Sequence, residues 1–387
     1  MSVSEKLSIN LHQAKKYLDR CFDWIYLEFL RKSKNKIENF LILSIYPLII
    51  LFCGFFMIIE ISQFRIGGNF TFFSYLIVYF GGAYQCLWKY FIFLWYDEKW
   101  KRIRDFIEDI KTSIQTNSLL SDIRIREYQE TLKFYVLFVR GCSILLVFSV
   151  SELYIYNAYV TNFTSGLMYT IPLLPETSAF YRPVNLIFQL ICLVLMTVVF
   201  IGSDFILAIV VGCLDGELRS IIAYILTIEN EATARNEGKE ILKTVYKNHL
   251  RVLSVLNDLR SIFWHLSLQM LLTTFLYICF TFFLARVVSI SITTFILCFN
   301  SASLLLIYSH LGQILLNRTE LLAYALWQTS WYNLAIDDQK AFLMVLRIAQ
   351  KPIGLNAGGF FIISNNTFVK IMKAAITFGA LLYAFIS

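Results

Sequence analysis

Lys89, Arg140, Glu152 and Asp204 are ionisable residues that stand well inside apolar runs of this chain. A charge surrounded by hydrocarbon is costly and has to be paired or drawn out to water, so each is a functional suspect. Lys89, Arg140 and Asp204 lie at similar depth, roughly seven to nine residues from the ends of three separate runs. They are expected to form a salt-bridge cluster joining those runs, with snorkelling of the two basic chains to the interface as the alternative. Glu152 sits higher in its run, where it would border a pocket or vestibule. Little else could carry out a reaction. The histidines are His12, His249, His265 and His310, and the chain contains neither a His-Glu-x-x-His pattern nor a glycine-rich phosphate loop. His265 reads as a hydrogen-bonded structural residue. No catalytic residue, metal site or cofactor is expected, and the chain does not read as an enzyme.

The elements that must position these charges follow from composition. Hydrophobic residues make up 58% of the 387 residues, aromatics 17% and charged residues only 16%. A soluble domain cannot hide that much apolar surface. Runs long enough to cross about 30 Å of hydrocarbon occupy 40–62, 70–96, 134–159, 186–213, 261–284, 287–312 and 367–386. The expected fold is all-α, a multi-pass membrane protein with seven transmembrane helices. Of the 34 Lys and Arg residues, 27 fall in segments 1–39, 97–133, 214–260 and 313–369, while the alternate loops carry one each, Arg65, Arg182 and Arg286. The positive-inside bias therefore predicts a cytoplasmic N-terminus and an extracellular C-terminus. A G-protein-coupled receptor has the opposite orientation, and its Asp-Arg-Tyr and Asn-Pro-x-x-Tyr marks are missing. A secondary transporter would show related halves and helices broken at mid-membrane, whereas the breaks here gather before the last run.

Seven of the eight cysteines lie in or at the ends of runs and Cys21 in the N-terminal segment, so no outer disulfide is expected. Asn69-Phe-Thr and Asn162-Phe-Thr are glycosylation patterns in the expected outer loops. Segment 1–39 lacks the central apolar stretch of a signal peptide. Its Leu7, Leu11, Ala14, Leu18, Phe22 and Ile25 recur at helical spacing. Such a helix would lie on the inner membrane surface or pack against its own bundle. A second stripe, Leu242, Val245, Leu250, Leu253, Leu256 and Leu259, leads without Pro or Gly into the fifth run. A helix over 240–284 would be about 65 Å long at about 1.5 Å per residue, so much of it must stand outside the bilayer. The segment from Leu315 through Ala349 offers Leu321, Leu322, Leu326, Trp331 and Leu334 as a facing stripe, and Pro352, Gly354, Gly358 and Gly359 should end a helix near Gln350 and turn the chain into a separate last rod.

That last segment carries a specific pattern. Gln350-Lys351-Pro352 is followed by Ala357-Gly358-Gly359-Phe360-Phe361, Ser364, Thr367-Phe368, Lys370 and Lys373, and Gly312, Glu320 and Trp331-Tyr332 precede it at matching distances. The order resembles the C-terminal signature of insect odorant receptors, seven-span ligand-gated cation channels of sensory dendrites, although Trp327 stands where a tyrosine is usual. The resemblance is specific over about the last quarter of the chain and compositional before it.

What the resemblance implies is more detailed. The organisation would be a cytoplasmic arm (1–39), a six-span bundle holding the ligand pocket (40–312) with its cytoplasmic extension (214–260), anchor helices shared between four subunits (313–366) and a pore-lining seventh span (367–387). The gate would fall at Leu381, with Leu382, Phe385 and Thr377 nearby. The ligand, a small and mostly apolar volatile, would sit in the outer half of the bundle among Phe73, Tyr75, Tyr79, Phe148, Ser151, Tyr154, Phe188, Ile191, Tyr277, Ile290 and Phe295. Thr377-Phe378 and Ala384-Phe385 replace the Thr-Tyr and Gln of the co-receptor. An odour-tuning subunit is implied, working in the plasma membrane with co-receptor subunits as a heterotetramer. Membrane lipid is the other expected partner, and nucleic acid is not one.

Overall fold

Apolar stretches in a membrane must satisfy every backbone amide internally, and a continuous helix does so without help from neighbours. The computed structural model of the chain describes residues 3–28, 36–63, 70–113, 118–167, 169–172, 174–228, 231–287 and 292–386. Its helices are α1 (Val3–Ile25), α2 (Lys36–Ser62), α3 (Phe70–Trp95), α4 (Asp97–Ser113), α5 (Leu119–Val160), α6 (Tyr181–Ile225), α7 (Glu231–Asn236), α8 (Gly238–Val287), α9 (Ile292–Gln328), α10 (Ile336–Ala349) and α11 (Asn365–Ile386). Among the described residues a single hairpin, β1 (Asn356–Ala357) with β2 (Phe361–Ile362), interrupts them. Among the described residues α2, α5, α6, α8 and α9 are long and apolar enough to cross a membrane. The fold is all-helical: the runs at 40–62, 134–159, 186–213, 261–284 and 367–386 fall within helices, the run at 70–96 ends one residue past α3, and the helix that carries most of the run at 287–312 begins at Ile292.

Several helices run well past those apolar runs. The 50 residues of α8 extend about 75 Å at 1.5 Å per residue, and α9 continues through Gly312 to Gln328 without a break. The added length forms a charged end to the bundle. There Arg124 Nε reaches Glu217 Oε2 at 3.1 Å, with both side chains nearly sealed from solvent. The same guanidinium bonds Ser113 Oγ at 3.0 Å and Asn248 Oδ1 at 3.3 Å, so one arginine of α5 ties α4, α6 and α8. Close packing beneath it depends on two glycines. Tyr135 and Tyr128 of α5 lay their rings on Gly212 and Gly216 of α6, where an added Cβ would meet ring carbons at 2.7 and 2.9 Å.

The N-terminal helix packs on its own bundle. Ala14, Leu18, Phe22 and Ile25 are all buried, and α1 lies against α5 and α6. Phe22 meets Trp100, which stacks on Phe93 at 4.7 Å. Lys15 pairs with Glu108 of α4, and that hydrogen bond holds the Glu108 carboxyl below the usual carboxylate range. Most of the α8 stripe is likewise covered within the chain: Leu242, Val245, Leu256 and Leu259 are buried and Leu253 is half-buried, while Leu250 is exposed.

The glycine-rich segment before α11 is built as a clamp. Gly358 and Gly359 adopt positive φ, 59° and 77°, in a turn open to glycine at little cost. Gly358 N–H donates to the Trp264 carbonyl of α8 at 3.0 Å, and Thr319 Oγ of α9 accepts from Ile353 N at 3.1 Å. Ser364 Oγ accepts from Thr367 N at 3.3 Å at the start of α11, a capping bond of the usual kind. Gly312 of α9 lets the clamp approach, because a Cβ there would stand 2.4 Å from the Ile363 carbonyl oxygen and 3.1 Å from its carbon. Gly312→Ala is therefore expected to lower stability by about 1–3 kcal/mol, the usual cost of overpacking. The apparent melting temperature of the detergent-solubilised protein would fall by several degrees. Gly141→Ala in the interior of α5, where a Cβ meets nothing within 4 Å, is the control and should leave it unchanged or slightly raised, since alanine suits a helix interior better than glycine.

Candidate functional site

In the upper bundle, away from the charged end, α3, α5, α6, α8 and α9 do not close fully on one another. They leave a cavity of about 200 Å³, walled mainly by Tyr79, Val150, Met196, Phe200, Tyr277 and Leu304. Its volume is below the range of about 300–1,000 Å³ common for drug-sized ligands. Small polar groups interrupt the apolar wall at Thr197, Thr274, Asn300 and Ser301. Tyr277 is distinctive among them. Its hydroxyl is buried and has no hydrogen-bond partner among the described residues, and its ring is seated where Gly81 and Gly82 give it room.

One end of the cavity is roofed by the segment after α5. Leu167 from that segment lines the cavity, and buried Gln189 of α6 holds it in place. The Gln189 Oε1 accepts from Gly166 N at 2.7 Å and Leu167 N at 2.8 Å, while its Nε2 donates to the Tyr169 carbonyl at 2.6 Å. Asn157 Nδ2 adds bonds to Tyr79 Oη at 2.7 Å and to the Gly166 carbonyl at 3.2 Å. Loop amides are thus satisfied by side chains, as a buried backbone requires.

The other end rests on an ion pair. Lys89 Nζ lies 2.6 Å from Asp204 Oδ1, 3.3 Å from the Phe200 carbonyl and 3.9 Å from the centre of the Phe200 ring. Tyr308 Oη of α9 donates to the same Asp204 oxygen at 2.5 Å. With Lys89 fully buried and the Asp204 side chain 7% exposed, the pair ties α3, α6 and α9 below the cavity floor.

The expected site residues are distributed unevenly. Arg140 is not in the charge cluster: it is exposed, with Nε on Tyr17 Oη at 2.8 Å and a second contact to Gln13, because α1 covers that face of α5. Tyr79 and Tyr277 line the cavity. Tyr154 and Phe188 lie beside it, the first bonding the Leu186 carbonyl at 2.6 Å and the second packing on Phe56. Phe73 is half-buried and not in its wall. Phe148, Ser151, Ile191 and Phe295 point away from it and are exposed. Tyr75's side chain and Ile290 lie outside the described residues. The wall of α5 is formed instead by Leu146, Val150 and Leu153, and that of α9 by Asn300, Ser301 and Leu304. A helix apolar on all sides carries no periodicity from which to read its rotation. The signal that could have found the wall is the small polar residues Thr197, Thr274, Asn300 and Ser301 within apolar runs.

Of the residues expected near a gate, Thr377 and Leu381 are exposed on α11, and the side chains of Leu382 and Phe385 lie outside the described residues. The opposite face of α11 packs on α8, where Gly379 meets Phe282 and Cys279 Sγ approaches the Ala375 carbonyl at 3.4 Å. Asn162 is exposed in a tight turn at φ 53°, and Asn69 lies outside the described residues.

Comparison with known proteins places these features in context. Residues 69–376 match the family described as 7tm Odorant receptor. Odorant receptor 49a of Drosophila melanogaster is 24% identical over 196 residues, 47% of this chain and 50% of that protein. Odorant receptor 85c of the same fly is 29% identical over 147 residues, 37% of each. The chain thus spans about half the length, or less, of the curated relatives it matches. The olfactory receptor OR5 of Machilis hrabei, solved in complex with eugenol, superposes with a TM-score of 0.80 at 12% identity, covering 97% of this chain and 100% of that one. At that identity the likeness is one of fold.

The ion pair generates a direct test. Lys89→Met and Asp204→Leu each strand a buried charge and are expected to cost about 3–5 kcal/mol, whereas the double substitution should be near neutral. Thermal melting of the four proteins in a double-mutant cycle measures the coupling. A coupling near zero would mean that the pair does not hold the cavity floor.

Proposed function

Because the chain belongs to the 7tm odorant receptor family, we propose that it is an odour-tuning receptor subunit that binds a small neutral volatile in the cavity above Lys89 and Asp204. It would gate a non-selective cation channel together with co-receptor subunits in the plasma membrane. Family membership favours this reading over a transporter or a G-protein-coupled receptor. The observation that carries it is a mostly apolar cavity to which the buried Tyr277 hydroxyl brings a donor without a hydrogen-bond partner among the described residues. A buried hydroxyl without a partner is costly. A ligand offering a carbonyl, ester or ether oxygen would remove that cost while filling the apolar remainder.

The basic residues supply the orientation. Seven helices, α2, α3, α5, α6, α8, α9 and α11, would cross the bilayer with the charged end of the bundle in the cytoplasm, the N-terminus inside and the C-terminus outside. The roofed cavity then lies in the outer half. Exposed apolar side chains at the charged end, among them Tyr324, Trp327, Ile336, Leu343 and Met344, are too many for a face in water and support an interface with neighbouring subunits there. The uncovered face of α11, with Ile376, Thr377 and Leu381, supports a pore-lining role, with Leu381, Leu382 and Phe385 as the constriction that keeps a closed pore dry.

Whole-cell current in cells expressing the chain with an insect odorant co-receptor tests the reading. Volatile ketones or esters should evoke a cation current that needs both chains. Val150→Trp, which fills the cavity, should abolish the response while leaving surface expression intact. Tyr277→Phe should weaken oxygen-bearing ligands by about fivefold, the worth of one neutral hydrogen bond, and spare a hydrocarbon of similar shape. Equal loss for both ligands would remove Tyr277 from the recognition role.

A further inference from the structure

A second site is built where α5 and α9 part at the charged end of the bundle. Two adjoining cavities share Phe134, Tyr135 and Ile314 as walls. One, of about 300 Å³, is apolar and runs along Phe138, Leu306, Ile307 and Leu311. The other, of about 240 Å³, holds Arg219, Arg318, Asp215 and Glu130. From Leu306 to Arg318 the groove follows α9 for about 18 Å at 1.5 Å per residue, close to the depth of one leaflet with its headgroup.

The charges in the polar half are arranged for an anion. Asp215 is almost sealed, and each of its oxygens takes one Nε–H: Arg219 at 3.1 Å and Arg318 at 2.5 Å. Asp215 thereby fixes both guanidinium groups with their Nη atoms uncommitted among the described residues, and the two side chains are 33% and 25% exposed. Paired guanidinium forks are the arrangement that suits phosphate. A third observation is independent of them. Tyr135, at the junction of the two cavities and seated on Gly212, has a buried hydroxyl with no hydrogen-bond partner among the described residues. Glu130 stands exposed at the rim of the same cavity, beside Phe134, which is 55% exposed.

We propose that this groove binds a zwitterionic phospholipid, with its phosphate between Arg219 and Arg318, its cationic amine at Glu130 and Phe134, and one acyl chain along Leu306, Ile307 and Leu311. The two arginines and two carboxylates sum to zero charge, which matches a headgroup bearing one charge of each sign. An anionic lipid would leave Glu130 opposed by a second negative group. A free phosphate ion would leave the apolar half unfilled. Assignment to the inner leaflet rests on the orientation proposed above, but binding itself does not.

The test uses the full chain purified in mild detergent and titrated with palmitoyl-oleoyl phosphatidylethanolamine, the corresponding phosphatidylserine, or inorganic phosphate, with occupancy read by native mass spectrometry. Phosphatidylethanolamine should bind one per chain, about threefold tighter than phosphatidylserine, the scale of one exposed ion pair. Exposed Glu130→Gln, which leaves the packing untouched, should erase that preference. Arg318→Gln should weaken phosphatidylethanolamine about tenfold by removing a charge-assisted bond, and Ile307→Trp should block the acyl groove with the charges intact. Equal binding of the two lipids by the unaltered chain, no response to Glu130→Gln, or competition by inorganic phosphate at the lipid's own affinity would each overturn the proposal. Because the lipid reaches both ends of the chain in detergent, an error in orientation cannot produce those results. Accessibility of a terminal epitope on intact cells reports orientation separately.

Discussion

Lys89 and Asp204 cannot share their charges with water, and the helices that carry them must therefore meet. The pair binds α3 to α6, and the Tyr308 hydroxyl brings α9 to the same carboxylate. Three helices are thus fixed at one level whatever the side chains above them do. The bundle can then stay open over Phe200 without collapsing, because packing alone no longer decides the spacing. A purely apolar floor of the same volume would be as stable or more so, but would not specify which three helices meet or at what height. The same logic recurs lower down, where Arg124 and Glu217 tie α5 to α6. It recurs above the cavity as well, where neutral Gln189 secures a loop of amides.

Holding the cavity by polar ties at both ends has a consequence for what can occupy it. The amides of the roof have partners, and so does Asp204 Oδ1 in the floor, although buried Asp204 Oδ2 has none among the described residues, so much of the hydrogen-bonding capacity near the space is spent. An incoming molecule meets methyl and ring surface and a few hydroxyl and amide groups. In such a place shape and one well-placed acceptor discriminate better than charge. Losing or gaining a methylene changes affinity modestly, whereas mismatching a buried donor leaves it unsatisfied. The proposed selectivity for neutral oxygen-bearing volatiles follows from that asymmetry.

Much of this was legible in the sequence because it depends on length and burial along a single helix. Apolar runs of about 20 residues have few alternatives to a helix in hydrocarbon, so their positions could be read directly. The similar depths of Lys89 and Asp204 pointed to their contact. Rotation was not legible: Phe148 and Ser151 were expected to face inward, but α5 turns Leu146, Val150 and Leu153 to the cavity instead. Nor does pattern reveal pairs such as Arg124 and Glu217, which lie 93 residues apart, or strands of two residues, too short for any alternation. Arg140 illustrates a different failure. Its depth fitted the cluster, but α1 supplied Tyr17 and Gln13 as nearer partners, and nothing local to Arg140 announces a helix that arrives from more than a hundred residues away.

The proposed channel would have to pass a signal from the cavity to α11, and the distance is one helix thickness. Thr274 and Tyr277 of α8 face the cavity, while Phe275, Cys279 and Phe282, within the same two turns, face α11. Phe275 meets Phe378 edge to face at 5.6 Å, and Cys279 and Phe282 border Ala375 and Gly379. A ligand that displaces Tyr277 therefore acts on a rod whose far side is already packed against the last helix. The energy available is bounded. A volatile of about ten non-hydrogen atoms binds with roughly 3–15 kcal/mol in total, at about 0.3–1.5 kcal/mol per atom, and only the part that differs between shut and open states moves the equilibrium. Shifting a population from 1:99 to 99:1 takes about 5.5 kcal/mol. So small a ligand can open the pore only if the shut state is favoured by a few kcal/mol at most. That requires the contact of α8 with α11 to be nearly balanced between two packings, and the close approach at Gly379, with no side chain to interlock, is compatible with such a sliding contact.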